Sequence, residues 1–217
     1  MGIRQSVAIA ALALAAFTPT AGAADEDLSV NARLLVAARN NDAPGLDRAL
    51  KAGAAANSRN RLGETALLVA LKRNDGAMAR TMLAAGTDVN LAAVNGVTPL
   101  MAAAYGGQAD MVELLLARGA DINAVDRLNK NAMTYAAGEG RTEVVALLLA
   151  KGVDPDAVYQ NDLTALMWAA GNGRAATVKA LLAAGAKPGR KDNRGKTALD
   201  MAREGNHTEV VALLEHA

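Results

Sequence analysis

The chain has 217 residues, a formal net charge of +1 at pH 7 and no cysteine. The near-neutral net charge argues against a protein dedicated to binding nucleic acids or acidic membranes. The lack of cysteine excludes a fold held by disulfides. With one Trp, three Tyr and one Phe, the apolar core has to be built from Leu, Val, Ala and Met.

Residues 1–23 have the pattern of a cleaved secretory signal peptide. Arg4 gives a positive start, residues 7–17 form an apolar run too short to span a bilayer comfortably, and residues 21–23 (Ala-Gly-Ala) form a small-x-small cleavage site. An uncleaved anchor helix is the alternative. The sequence has no Cys for lipid anchoring and no twin arginine for folded export. We therefore expect a soluble protein in a bacterial periplasm, with a mature domain over residues 24–217 whose formal charge is zero because Arg4 is lost.

One motif then returns every 33 residues. Its anchors precede apolar runs and are Thr65, Thr98, Asn131, Thr164 and Thr197. A second motif, Leu-x-x-Gly, recurs at the same 33-residue step. The glycines that end its five copies are Gly53, Gly86, Gly119, Gly152 and Gly185. Self-similarity at one period indicates stacked supersecondary units, each unable to bury its apolar face alone. The Thr and Asn anchors are good helix N-caps, and the glycines suit the left-handed residue after a helix.

The repeat resembles that of the ankyrin family. Residues 96–103 are similar to the family's opening Gly-x-Thr-Pro-Leu-His-x-Ala, and residues 140–148 and 206–214 to its Gly-His-x-Glu-Val-Val-x-Leu-Leu run. Residues 119–123 are similar to its Gly-Ala-Asp-x-Asn loop. The resemblance covers almost everything after residue 28 and implies an all-α solenoid of about six 33-residue helix-turn-helix units with short β-hairpin loops. The family's opening His is replaced here, so its hydrogen bonds are replaced or lost; the substitutes are Leu68, Met101, Thr134, Met167 and Asp200.

The predicted units divide the domain at the repeat step. They are residues 28–59, 60–92, 93–125, 126–158, 159–191 and 192–217. The first unit lacks a preceding hairpin and the last stops after its second helix, so both are expected to be caps. Pro44 is expected at the start of the second helix of the first unit. One loop column is expected to bond nearby backbone and contains Asn57, Asn90, Asn123 and Asp156.

Few residues suited to catalysis follow the signal. The only Ser and His residues there are Ser29, Ser58, His207 and His216. If units stack at roughly 10 Å, Ser58 and His207 are about 40 Å apart, which excludes a hydrolytic triad. Asp88, Asp121 and Asp154 recur one unit apart, roughly 10 Å, too far to share a metal. His207 is expected to cap a loop. We predict no enzyme, cofactor or metal, with an enzyme kept as the alternative from another class.

The resemblance implies that a protein partner binds the hairpin tips and the inner helices. Apolar tip residues expected in water are Val94, Val97, Leu128, Val158, Tyr159 and Leu163, and the last tip is basic at Arg190, Lys191 and Arg194. Tyr105, at the end of an inner helix, is a further candidate. The alternatives are that the tips pack on each other and that the charges are merely solvated. Tyr135 and Trp168 share one inner-helix column and are either binding anchors or core filling.

These observations predict a non-catalytic protein-binding module that is monomeric when unbound and binds neither nucleic acid nor membrane. A narrower alternative is an accessory or stabilising factor for a periplasmic redox or peroxide-defence enzyme, which the resemblance alone implies.

Overall fold

The computed structural model describes residues 28–217; the predicted signal peptide lies outside them. Within this range the chain forms twelve α-helices in six consecutive pairs, and each predicted unit contains one pair. The helices are α1 (Val30–Asn40), α2 (Ala43–Lys51), α3 (Ala66–Lys72), α4 (Gly76–Ala84), α5 (Pro99–Gly106), α6 (Ala109–Ala117), α7 (Ala132–Glu139), α8 (Thr142–Ala150), α9 (Ala165–Gly171), α10 (Ala175–Ala183), α11 (Ala198–Glu204) and α12 (Thr208–Glu215).

The helices form two layers. The odd-numbered helices pack on one another in chain order and form the inner layer, and α6, α8, α10 and α12 pack in the same way in the outer layer. Small residues allow this close approach, because Ala103, Ala136 and Ala169 are fully buried between neighbouring inner helices. The buried side chains form one continuous core along the stack. The predicted all-α solenoid is confirmed.

Each inner helix from α3 onward starts at a predicted cap. The Thr98 hydroxyl accepts from the Met101 N–H at 3.3 Å, and the Asn131 side chain accepts from the Thr134 N–H at 3.0 Å. The bond that the family's His would make is partly replaced. The Thr134 hydroxyl accepts from the Asn131 N–H at 2.9 Å, and the Asp200 carboxylate accepts from the Thr197 N–H at 2.9 Å. These reciprocal bonds satisfy amides that a helix start leaves free.

Side chains also join successive units. The Asn57 and Asn90 side chains accept from the backbone N–H groups of Asp88 and Asp121, at 2.8 and 2.9 Å. Asp156 accepts in the same way from the Lys187 N–H at 2.8 Å. Three of the four loop-column residues thus have the predicted structural role, whereas no such bond of the Asn123 side chain is seen in residues 28–217. At the inner-helix ends, Arg141, Arg174 and His207 contact the carbonyls of Tyr105, Gly138 and Gly171 in the preceding units.

The loops between units end in five tips, and these are turns rather than the expected β-hairpins. Backbone bonds close each tip within a few residues, such as Ala93 N–H to Val97 carbonyl and Gly96 N–H to Ala93 carbonyl, both at 2.9 Å. Among residues 28–217 the only β-pairing is an isolated bridge between Val158 and Thr164. Bonds confined to so short a turn leave no room for a ladder, so no strand forms in these residues. Gly96 allows the next tip to approach, because its φ is +86° and a Cβ there would lie 2.9 Å from the Arg127 nitrogen.

No helix in residues 28–217 combines the length and the apolar character that crossing a bilayer requires.

Candidate functional site

The tips expose apolar side chains. Val94, Leu128 and Val158 are each more than half exposed, at 51, 54 and 51%. Leu62 is 63% exposed and was missed by the sequence analysis, although it stands two repeat steps before Leu128. Backbone bonds join neighbouring tips, for example from the Val94 N–H to the Leu62 carbonyl at 2.8 Å. The tips therefore pair through their backbones while these side chains stay in water.

Three predicted tip residues are less exposed than expected. Val97, Tyr159 and Leu163 are half-buried against the core. The reason is their place at the base of a tip: the Val97 carbonyl accepts from the Ala93 N–H, and the Leu163 carbonyl from the Tyr159 N–H, both at 2.9 Å. Burial raises the pKa of the Tyr159 hydroxyl. The expectation that these side chains lie in water is wrong, although each keeps a partly open face.

The basic end of the solenoid surrounds one buried carboxylate. Arg190, Lys191 and Arg194 are exposed, whereas Asp192 is 5% exposed. The Arg194 side chain donates to Asp192 at 2.9 Å, and the backbone N–H of Lys196 donates to it at 2.8 Å. Burial acts to raise the pKa of Asp192, but these hydrogen bonds prevail and hold it below its ordinary value. Arg194 is thus partly neutralised, and Arg190 and Lys191 are the open cations of this end.

Three aromatic side chains and one lysine meet on the open side of the inner helices; we call them the aromatic cluster (Tyr105, Lys130, Tyr135 and Trp168). The Tyr105 and Tyr135 rings meet edge to face, with centroids 6.1 Å apart. The Lys130 ammonium lies 4.4 Å from the Trp168 ring centroid and 5.9 Å from that of Tyr135. Trp168 packs on the core and remains partly exposed, and the Tyr135 ring, which contacts Tyr105, is also partly exposed, so neither is simply core filling.

Tyr135 is also tied to its own tip. Its hydroxyl donates to the Asp126 carboxylate at 2.6 Å. Burial and this contact with Asp126 raise the pKa of Tyr135 well above its ordinary value. The other oxygen of Asp126 accepts from the backbone N–H groups of Leu128 and Lys130, at 2.8 and 2.9 Å. A buried acid therefore fixes the tip and the aromatic ring together.

A cleft of about 350 Å³ opens beside Trp168. We call it the Trp168 cleft; its lining includes Leu163, Met167, Trp168, Asn172, Arg194, Met201 and Glu204, whose carboxylate is paired with the Lys196 ammonium. Gly171 stands at the inner-helix position that Tyr105 fills two units earlier, and this glycine leaves the cleft open. Leu163 and Arg194 belong to tips, so the tips and the cleft form one continuous surface. The change in this column from Tyr105 to Gly138 and Gly171 is the sequence signal that could have revealed the cleft.

Comparison with known families agrees with this architecture. Matches to the family described as Ankyrin repeats (3 copies) cover residues 34–126, 82–158 and 133–217. The chain belongs to the ankyrin-repeat family. Its repeats form a protein-interaction module, as such repeats generally do. A search of the curated proteins gives no match.

The tips of this ankyrin-repeat protein are positively charged. Residues 59–64, 92–97, 125–130, 158–163 and 191–196 contain seven Lys or Arg and four Asp or Glu. Three of those acids, Glu64, Asp126 and Asp192, are buried, which leaves Asp162 as the only exposed acid in these five tips. The tip surface therefore presents cations to a partner.

One side chain of the ankyrin-repeat domain that is suited to acid–base chemistry, His207, is used in a structural contact. His207 is held by the Gly171 carbonyl, with Nε2 3.1 Å from the oxygen, as a loop-capping residue. Throughout residues 28–217, no three His, Cys, Asp or Glu side chains stand close enough together to hold a metal ion. The described part of the chain shows no catalytic site, and its exposed apolar and aromatic surface is the candidate functional site.

Proposed function

We propose that this protein is a non-catalytic protein-binding module, exported to the periplasm, that docks its partner on the tips and the adjoining open face of the inner helices. One observation carries the docking site: the exposed Leu128 shares a tip with Lys130 of the aromatic cluster, and a backbone bond from the Arg127 N–H to the Asn95 carbonyl joins that tip to the one with the exposed Val94. Exposed apolar side chains gather here on fixed turns, and covering them releases roughly 25 cal/mol for each Å² buried. These side chains remain in contact with water in the folded chain, and a bound partner would cover them.

Rigidity supports the same site. Tip-to-tip backbone bonds and the Asp126 contacts hold Leu128 and Tyr135 in place before any partner arrives. A preorganised surface loses less side-chain and loop freedom on binding, so more of the contact energy appears as affinity. We further propose that the unbound protein is a monomer, which sedimentation at rising concentration will test.

The export proposal is supported by Arg4, the apolar run over residues 7–17 and the Ala-Gly-Ala site at residues 21–23. Together they have the order of a cleaved secretory signal.

The docking site is tested by cross-linked capture from periplasmic extract, comparing variants of the same protein. The triple variant Val94→Ser, Leu128→Ser and Tyr105→Ala is expected to lose the captured partner while its melting temperature stays close to that of the parent. The control triple variant Glu113→Ser, Arg118→Ser and Lys151→Ser changes exposed residues at the outer layer and should keep capture. If the tip variant captures the partner as well as the parent does, the proposed docking site is wrong. The partner would then be sought at Arg190 and Lys191, by measuring how capture depends on salt concentration.

A further inference from the structure

Within residues 28–217, Lys130 is a cation without a carboxylate partner. In the first and last of the five tips, the residue at the same repeat position forms an ion pair with the residue eight positions later. Glu64 pairs with Lys72 at 2.7 Å, and Lys196 pairs with Glu204. Eight positions after Lys130 stands Gly138. Across residues 28–217 no carboxylate lies within 4.0 Å of the Lys130 ammonium, which rests on aromatic rings instead.

The Trp168 ring links this cation to the Trp168 cleft, because Lys130 lies over the ring and the same ring lines the cleft; Lys130 is not itself a lining residue. The cleft has apolar walls at Met167, Trp168 and Met201. An ammonium beside an apolar recess fits a ligand with a carboxylate and an apolar side chain close together. In an extended peptide, residues two apart point the same way and are separated by about 7 Å, so one segment can present a carboxylate and an apolar side chain on the same face.

The surrounding charge favours the same ligand. Of the seven cations of the five tips, Arg194 and Lys196 are paired with Asp192 and Glu204. The other five still outnumber the single exposed acid of the tips, so a segment rich in Asp or Glu is attracted and a basic segment is repelled. The cation-π contacts of Lys130 also occupy the face that a partner's own ammonium would use.

We propose that the Trp168 cleft binds an acidic, extended segment of a partner protein, with a carboxylate on Lys130 and an apolar side chain between Trp168 and Met201. The proposal rests on the proposed function as a protein-binding module and specifies the chemistry of the partner. It assigns Lys130 as the residue that selects for acidic partners.

Trp168 is the only tryptophan of the chain, so its fluorescence reports on this site alone. The probe is an acetylated peptide in which pairs of Glu alternate with pairs of Leu around one Phe, so that a Glu and an apolar residue stand two positions apart on one face, and it is added to the full protein. We expect a saturable change in Trp168 emission that weakens as salt is raised. The control peptide with Lys in place of every Glu should give no saturable change. An equal response to both peptides, or none to the acidic peptide, overturns the proposal.

Two variants test the role of Lys130. Lys130→Met keeps an unbranched side chain to lie over the indole and removes the charge, so affinity for the acidic peptide should fall about fivefold. Lys130→Glu should weaken that binding by about tenfold or more and allow the Lys-containing peptide to bind. The matched control Lys151→Glu makes the same charge change at the end of α8 and should leave both affinities unchanged. Circular dichroism of each variant checks folding.

The same fluorescence experiments distinguish an acidic peptide from other occupants of the Trp168 cleft. A thymidine oligonucleotide that competes with the peptide and depends on Lys130 equally would overturn the proposal in favour of a nucleic-acid site. A concentration-dependent change in Trp168 emission without peptide would overturn it in favour of a second copy of the chain. If the peptide fails but the tip triple variant still loses partner capture, the acidic-segment inference fails while the proposed function stands.

Discussion

The Tyr135 hydroxyl donates a 2.6 Å hydrogen bond to the carboxylate of Asp126, which joins an inner helix to the tip that carries Leu128. Asp126 is 7% exposed and depends on this donor and on two backbone amides to compensate its burial. The aromatic cluster and the tip are therefore one structural unit, so partner binding at either is felt at the other.

Removing this hydroxyl tests that linkage. Tyr135→Phe keeps the ring and its contact with Tyr105 but leaves Asp126 with one donor fewer. We expect the free energy of unfolding to drop by about 1–2 kcal/mol, the cost of losing a hydrogen bond to a buried charged group. Urea denaturation measures it. Tyr105→Phe is the control, because no hydrogen bond of its hydroxyl is seen in residues 28–217, and it should be neutral. Equal stabilities of both variants would contradict the linkage.

A second prediction concerns the close approach of successive tips. Gly96→Ala places a Cβ 2.9 Å from backbone atoms of Asp126 and Arg127, at a φ of +86°. Gly195→Ala has a similar φ of +81° but meets nothing within 4 Å. Both changes cost about 1–2 kcal/mol through the left-handed backbone, and Gly96→Ala should cost clearly more because the neighbouring tip has to move. Thermal melting of the two variants measures the difference. Equal losses of stability would show that the tips can separate freely.

The outer layer should carry stability, whereas the exposed tips should not. Leu115 is fully buried in α6, so Leu115→Ala is expected to cost about 2–5 kcal/mol. Leu128 is 54% exposed, and Leu128→Ala should change stability by no more than about 0.5 kcal/mol. Urea denaturation of both variants measures the difference. A large loss from Leu128→Ala would mean that the apolar tips serve packing rather than docking.

The loss of folding stability at acidic pH should depend in part on Asp156. The hydrogen bond from the Lys187 N–H is the main cause that holds the pKa of Asp156 below its ordinary value, while burial opposes it. The Lys187 ammonium, 3.3 Å away, adds to the lowering. Since the folded pKa is below the unfolded value of about 3.9, this stabilisation is present above that pH and is lost as pH falls through the folded pKa.

Asp156→Asn tests this pH dependence, because Asn57 and Asn90 make the same bond in earlier units. The variant keeps an acceptor for the Lys187 N–H and has no titrating charge. Its melting temperature should be lower than the parent's at neutral pH and should fall less between about pH 5 and pH 2. Parallel melting curves over that range would show that Asp156 does not contribute to acid sensitivity.

The export proposal is tested by intact mass of the protein recovered from the periplasm. We expect a mature chain that begins at Ala24 or Asp25, because the small-residue site ends at Ala23. A full-length chain retained in the membrane fraction would instead support the uncleaved anchor helix.

The sequence determined the features that depend on neighbouring residues along the chain. The 33-residue step, the N-caps at Thr98 and Asn131 and the left-handed glycine at Gly119 follow from bonds between residues a few positions apart, and such bonds can be recognised in any one unit. The exposure of Val94 and Leu128 was predicted for the same reason, since both stand at the ends of short turns.

Only the tertiary structure decided what happens between units. Val97 and Leu163 are half-buried because the base of each tip turns against the core, a feature that their repeat position does not reveal. Lys130 rests on Trp168 because no acid stands eight residues later and because the next unit places its indole within reach. Such contacts depend on the side chains that two units bring together across the stack, whereas periodicity reports only what each unit repeats.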